Sequence, residues 1–330
     1  MADSRPDSEP GYDIVIVHYR NVAQVTELVG QIRGWSHAPR HVVVVDNSGE
    51  FAAAPAALRA VGVEVVNSPG NPGYAAAVNA GLRYLHDSGS EHVLLATQDA
   101  SASPVAVENL LRCLQAHPEA GVAAPLLLFR SNPKEVFSAG GMLDAKGRTY
   151  HGGYRAAASQ WVDQPDFDVA WADGAFLLVR KSALEAVGHL REEFFLYFEE
   201  VEFQLRLRLQ GWTVRLVPSA VCAQEPGNYT PYLRVRNRIL FLSAFPHYFD
   251  LRLRFSLLDF VRTCAIAIRD RRLSGIFWAW RGLQDGRKGI GGKPPSSPFR
   301  GERNAAGRPA GAASQVEREM ASAQSQRGEA

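Results

Sequence analysis

Cysteine is scarce in this chain. Its three cysteines, Cys113, Cys222 and Cys264, lie far apart and none belongs to a CxxC pair. That spacing argues against a disulfide framework or a zinc knuckle and favours a reducing compartment. Long apolar runs are missing as well. No stretch of about 18 apolar residues occurs, so no membrane-spanning helix is expected. The opening MADSRPDSEPG is polar and acidic and lacks the apolar stretch of a signal peptide. Charge of one sign is not in excess either: the net charge of +2 offers no field for a polyanion, and no nucleic-acid partner is expected. No internal repeat is visible. What is present is an ordinary globular balance, 46% hydrophobic and 21% charged over 330 residues, enough to bury a substantial core.

The apolar patterning divides the chain. Order is expected from Tyr12, after a disordered segment 1–11. Asp13 to Val17 reads as a buried strand. A helix over 21–34 follows, with Val22, Val25, Leu28, Val29 and Ile32 on one face. Strands are predicted at His41 to Val45, Val63 to Val66, His92 to Ala96 and Gly121 to Pro125, with helices at Ala75 to Asp87 and about 104–116. Such strand–helix alternation predicts an α/β fold, a mostly parallel sheet with helices on both faces. Between 126 and 170 the pattern loosens, with Gly140-Gly141 and Gly152-Gly153 marking turns between short strands. A strand at Trp171 to Val179, helices at Ser182 to Val187 and 199–210, and a strand at Thr213 to Val217 complete a unit spanning 12–230. Residues 231–284 read as an arginine-rich helical region. From 285 to 330 the composition of Gly, Pro, Ser, Ala and charge predicts a disordered tail.

Ligands of open α/β sheets sit beyond the carboxyl ends of the strands. Asp46, Asn67 and Asp99 each stand at or just past such an end. Asp46-Asn47-Ser48 could accept from a ribose or a base, or could be an ordinary turn. Asn71-Pro72-Gly73 opens a helix of unusually small residues, Ala75 to Ala77, whose free N–H groups suit an anion or a nucleotide. Asn79, in that helix, needs a partner, either a ligand or a neighbouring segment. Asp99 could bind a divalent cation on a diphosphate, or the segment could simply lead into the next helix. Asp173-Gly174 interrupts an apolar stretch, as a site or as a β-turn. Phe194 to Phe198 runs into Glu199, Glu200 and Glu202. Crowded carboxylates beside aromatic rings should raise at least one pKa, as a general base near neutral pH requires. The helix dipole also favours acids there, but does not account for the five apolar residues before them.

These segments, taken in order, resemble the family 2 glycosyltransferases of GT-A fold. The likeness runs from about Asp13 to Leu242 through VHYR, VVVVDNSG, NPGYAAAVNAGL, LLATQDA, WADGAFLLVRKSALEAVG and FFLYFEEVEFQLRLRLQGW. Within the family, TQD and the YLRVRN segment are similar to the rhamnosyltransferase-like members that use dTDP-sugars. The resemblance implies a Rossmann-like sheet flanked by helices, here with a C-terminal helical extension. It also implies an inverting transfer from a dTDP- or UDP-sugar to a hydroxyl of a glycan, polyprenyl-linked or natural-product acceptor. Asp46, Asn71, Gly73, Asn79 and Asp99 would line the donor site. Asp99 would ligate Mg²⁺ or Mn²⁺, Asp173 would lie near donor sugar and acceptor, and Glu200 would be the base. Arg206, Trp212 and Arg236 are candidates for phosphate or acceptor contacts.

Three departures from the family pattern weaken the metal site and shift the base. Thr97 replaces an acid, Glu200 replaces an Asp, and Gln224 stands where the family offers a metal-binding His. An amide oxygen can ligate a hard cation, though more weakly. A catalytically degenerate sugar-nucleotide-binding or scaffold protein of the same fold is therefore the alternative. A nucleotidyltransferase would need a glycine-rich loop after the first strand, where this chain has His18-Tyr19-Arg20-Asn21, and no GxGxxG supports a dehydrogenase. Arginines mixed with Leu, Phe, Ile and Trp over 251–281 suit a helix at a membrane surface, giving a cytoplasmic protein peripheral to the inner face of the plasma membrane. The same pattern suits packing on the catalytic unit or a homodimer contact.

Overall fold

Alternate residues of the first strand decide the layering. The computed structural model describes residues 11–52, 62–225, 227, 230–247 and 252–295. In β1 (Tyr12–His18), Ile14 and Ile16 enter one apolar cluster while Val15 and Val17 enter another on the opposite face. The first cluster is closed by Val25, Leu28 and Ile32 of α1 (Val22–Ile32) and by Leu110 and Leu114 of α3 (Ala106–Ala116). The second is closed by Ala75, Ala77, Val78 and Leu82 of α2 (Tyr74–Tyr84), Leu184 of α4 (Lys181–Val187), and Phe203 and Leu207 of α5 (Glu199–Leu209). The helices thus cover both faces, as the alternation predicts.

The other long strands are β2 (Val42–Asp46), β3 (Val63–Asn67), β4 (His92–Thr97), β6 (Ala120–Phe129), β11 (Phe176–Arg180) and β12 (Thr213–Gln224). Short strands are β5 (Ser101–Ala102), β7 (Val136–Ser138), β8 (Gly141–Leu143), β9 (Thr149–His151) and β10 (Phe167–Asp168). The main sheet runs β3-β2-β1-β4-β11-β6-β12-β10, with β5 on β12 and β7 on β6. β1, β2, β3 and β4 pair in parallel, and so do β6 and β12. Between these blocks β11 runs antiparallel to both β4 and β6. Sequence patterning does not reveal strand direction, so this reversal becomes visible only in the fold.

Several expected boundaries move: β6 and β12 run on to Phe129 and Gln224, and α2 ends at Tyr84. The strand expected over 171–179 begins only at Phe176, because Asp173 and Gly174 lie in the loop before it. Past the expected limit at 284, α8 (Ser274–Arg287) is followed by described chain to residue 295. Gly292 N–H donates to the Glu193 carbonyl at 2.7 Å, and Arg236 donates to the Gly292 carbonyl at 2.7 Å. This stretch is therefore attached, and the rest of the expected tail, 296–330, lies outside the described residues, as do residues 1–10. The helical region begins with α6 (Pro231–Ala244), started by Thr230, which accepts from Leu233 N–H at 3.3 Å, and by Pro231 in the first turn. α7 (Arg252–Arg269) and α8 pack against α6, with Val235, Ile239, Ala279 and Leu283 buried between α6 and α8.

Candidate active site

The reversal of β11 places a loop where the parallel strands end. Because β11 runs backwards, its amino end meets the carboxyl end of β4: Phe176 is in register with Ala96, and Thr97 N–H donates to the Ala175 carbonyl at 2.9 Å. Asp173 and Gly174 are thereby brought beside the Thr97–Asp99 turn. α5 reaches the same place. Gln204, fully buried, accepts from Ala172 N–H at 2.7 Å and donates to the Ala172 carbonyl at 2.7 Å and to the Glu200 carbonyl at 3.0 Å. One amide side chain thus ties the loop bearing Asp173 to the helical turn bearing Glu200. A β-carbon on Gly174 would lie 3.4 Å from Glu200 Cβ. Tyr74, at the start of α2, donates to the Gly174 carbonyl at 2.5 Å. Burial and the charges of Glu199, Glu200 and Asp99 hold its phenol well above the ordinary value. Tyr74 thus lies within reach of the charges of all three.

The acids lie at the start of α5 because the chain before them is bent sharply. Phe195, Tyr197 and Phe198 have φ of 68°, 70° and 75°. Left-handed backbone costs non-glycine residues about 1–3 kcal/mol each and persists only where surroundings impose it. Here the surroundings are visible. Asn237 of α6 donates to the carbonyls of Phe194 (3.0 Å), Leu196 (2.7 Å) and Tyr197 (2.8 Å), and Arg236 donates to Phe194 at 2.8 Å. From the other side Tyr74 N–H donates to the Phe195 carbonyl at 2.7 Å. Gly73, at φ 110°, lets that carbonyl approach, since a β-carbon there would overlap it. The apolar run before the acids is thus the clamped bend that aims them.

Electrostatics sets the acids apart. Glu200 is held well above the ordinary carboxylate range by burial, by the Glu199 charge and by Asp173, with His151 acting in the opposite direction. Glu199 is also raised, by burial. One carboxylate oxygen of each of Asp173, Glu199 and Glu200 is buried with no hydrogen-bond partner among the described residues. Burial would raise the Asp173 pKa, but His151, its Nδ1 at 3.5 Å, and Ser138 hold it below the ordinary value. His151 of β9, Ser138 of β7 and Gln204 went unnoticed in the sequence. Gln204, one turn beyond Glu200, carried a signal: it stands among residues that pack inward.

The donor-side residues fall into two groups. Asn47 Nδ2 donates to the Gly73 carbonyl at 3.1 Å, and Asn71 N–H donates to the Asn47 carbonyl at 3.1 Å, so the ends of β2 and β3 form one rim. Asp46 is fully buried. Its Oδ1 accepts from Ser48 N–H (2.9 Å), Ser48 Oγ (2.8 Å) and Gly49 N–H (2.9 Å), and Oδ2 accepts from Phe51 N–H (2.9 Å). Despite burial, these bonds lower its pKa. It shapes the 47–51 loop. Gln98 braces the end of β1 through His18 Nδ1 at 2.5 Å, Tyr19 N–H at 3.0 Å and the Arg20 carbonyl at 2.8 Å.

Four of the expected contact residues engage the chain itself. Asn79 donates to the Leu190 carbonyl (2.8 Å) and Glu192 (2.9 Å) and accepts from Leu190 N–H (3.1 Å), so its amide is engaged by the chain. Arg206 is bound to Glu202 at 2.9 Å and 3.0 Å and to the carbonyls of Val187 and His189. Trp212 precedes β12 and packs near Gly121 at the opposite, amino end of the sheet. Arg236 is fully buried and engaged with Asn237, Phe194 and Gly292. Spacing brings these residues close to the site in sequence, and in the structure each is bonded to or packed on the chain.

For a cation, the donor set is sparse. Among the described residues no three His, Cys, Asp or Glu gather as a metal cage. Gln224 Nε2 donates to Thr97 Oγ1 at 3.3 Å, so two of the departing positions bond to each other. Asp99 offers one half-exposed carboxylate beside them. Mg²⁺ is commonly held by one or two carboxylates together with substrate phosphates, and Asp99 fits that arrangement with the diphosphate completing the shell.

Comparison with known proteins bears on the family and the fold. The family described as glycosyltransferase like family 2 matches residues 10–239. An N-acetylglucosaminyl-diphospho-decaprenol L-rhamnosyltransferase of Mycobacterium tuberculosis is 28% identical over 230 residues, covering 63% of this chain and 73% of the relative. Among solved structures, GalNAc-T7 with UDP, GalNAc and Mn²⁺ superposes with a TM-score of 0.56 at 13% identity, over 74% of this chain and 52% of that one. The chain thus spans about half the length of that neighbour. Staphylococcus aureus TarS 1–349 with UDP-GlcNAc gives 0.55 at 14% identity, over 85% of this chain and 81% of that one. The chain belongs to the glycosyltransferase-like family 2 and is a glycosyltransferase of GT-A fold.

Proposed function

We propose that the enzyme is an inverting transferase that moves a rhamnose-like sugar from a dTDP- or UDP-linked donor to a hydroxyl of a lipid-linked glycan. The observation that carries the reading is the meeting of Asp173 and Glu200 beside the edge where Asp99 stands, with Glu200 held well above the ordinary carboxylate range. In a single displacement Glu200 takes the proton of the acceptor hydroxyl as that oxygen forms the new bond to the anomeric carbon and the bond to the diphosphate breaks. Asp173 faces the acceptor and donor sugar. The rim of Asn47, Asn71 and Gly73, with the loop shaped by Asp46, receives the nucleoside. A divalent ion, when bound at Asp99, supplies charge stabilisation to the leaving diphosphate. The rhamnose preference and the lipid-linked acceptor rest on the mycobacterial relative's name and on the TQD and YLRVRN segments. The test is release of nucleoside diphosphate from a panel of dTDP-, UDP- and GDP-sugars, with and without Mn²⁺. Glu200→Gln should abolish turnover and leave donor binding intact.

The surface of α7 and α8 supports a membrane contact. Seven of the thirteen exposed large apolar side chains among the described residues lie there or between them: Leu257, Leu258, Val261, Ile268, Leu273, Phe277 and Trp280. Exposed Arg269, Arg271, Arg272 and Arg281 accompany them. No helix among the described residues is long and apolar enough to cross a membrane. Apolar side chains mixed with arginines suit a helix pair lying in an anionic interface, close to a lipid-linked acceptor. A homodimer through the same face is the competing outcome of vesicle flotation.

A further inference from the structure

His151 lies in β9, within the loosely patterned region of short strands and turns. Its ring stacks edge-on to Trp171 with centroids 5.1 Å apart and lies 5.1 Å from Phe137. Its side chain is only a quarter exposed. Nδ1 stands 3.1 Å from Ser138 Oγ and 3.5 Å from Asp173 Oδ1. The charged and titratable groups around it are Asp173 from the loop before β11, Glu200 from the start of α5 with Glu199 beside it, and Tyr154 with its ring 6.4 Å away.

We propose that His151 is a positioning residue that holds Asp173 ionised and oriented and, through that pair, keeps Glu200 able to accept a proton. The proposal rests on the reading of Glu200 as the base. Two buried carboxylates at one point repel, and without a nearby cation one would keep a proton at neutral pH. The protonated imidazole is that cation. Burial opposes the charged ring, yet the Asp173 charge and hydrogen bond, with Glu200 behind, hold its pKa above the ordinary histidine value. The same cation acts against burial and the carboxylates that raise Glu200. The ring packing explains why histidine serves here: Trp171 and Phe137 fix its plane, and Trp171 Nε1 is itself anchored to the Met142 carbonyl at 3.1 Å. Ser138 completes the orientation without adding charge.

The test uses the full chain and two readouts. In the first, NMR titration of the histidine imidazoles should show His151 protonating above the usual pKa of about 6.5. That pKa should fall in Asp173→Asn and, by less, in Glu200→Gln. In the second, turnover of dTDP-rhamnose, or of whichever sugar nucleotide the panel selects, is followed against pH. His151→Gln, which keeps a polar partner for Ser138 but no charge, should move the acid limb to higher pH. Each unit of displacement lowers activity about tenfold below the limb. His151→Lys should return the limb towards its original place. A His151 pKa at or below the usual value, one unmoved by Asp173→Asn, or an unshifted limb in His151→Gln would overturn the proposal. If no sugar nucleotide is turned over, the proposed function fails, whereas the titration still decides whether His151, Asp173 and Glu200 share charge.

Discussion

Glu200 and Asn79 show how differently two polar residues can be used within one fold. Glu200 sits with an unpartnered buried oxygen and a raised pKa. A base must be ionised to work, so the account predicts that kcat/KM falls as pH drops through a value above the usual carboxylate range. A profile flat down to pH 5 would contradict this. Asn79 is tied by both amide atoms to the 190–192 segment. Asn79→Ala should therefore cost stability, about 1–3 kcal/mol for the buried groups left unpaired, measurable by denaturant unfolding. Donor affinity should stay unchanged. Both residues lie in family-like segments, and only the structure separates the one with an unpartnered oxygen from the clamp.

At the level of elements, α6 controls the bend that carries the acids. Asn237 is far from Glu200 in sequence, yet it accepts the strain of Phe195, Tyr197 and Phe198 by binding three carbonyls. Asn237→Ala should reduce turnover at least tenfold while Asn237→Asp, which lacks the donating amide, should do no better. Activity assays beside a thermal melt would check this, and a folded Asn237→Ala protein with full activity would refute it. The elements themselves were largely legible. Periodicity in Asp13–Val17 and in 21–34 reveals β1 and α1, since each buries one defined face. The direction of β11 was not legible, because antiparallel and parallel buried strands carry the same apolar run. Nor was the bend at 195–198 legible: its φ angles are imposed by α6 and Gly73, not by local propensity. His151 was hidden for a related reason, since its partner Asp173 is brought to it by tertiary pairing of β8 with β9 and of Gly141 with Trp171.

For the molecule as a whole, the proposed catalytic site and the proposed membrane surface share one support, α6. α6 supports the acid-bearing bend while α7 and α8, packed on α6, present the apolar and arginine-rich surface. Deleting α7 and α8 would disturb the bend as well, through the contact of Arg236 with Gly292. Point changes are therefore the cleaner probe. The full chain should float with vesicles containing anionic phosphatidylserine, and Leu258→Glu with Phe277→Glu should abolish flotation without lowering turnover of a soluble acceptor. Loss of a dimer in place of loss of vesicle binding would assign this face to self-association. The most direct measurement of the central claim is nucleoside diphosphate release by the wild-type chain and by Glu200→Gln, across the dTDP-, UDP- and GDP-sugar panel, with donor binding followed by thermal shift. The account predicts turnover of at least one donor by the wild type, none by the variant, and equal thermal stabilisation of both. Undiminished turnover by Glu200→Gln would contradict it.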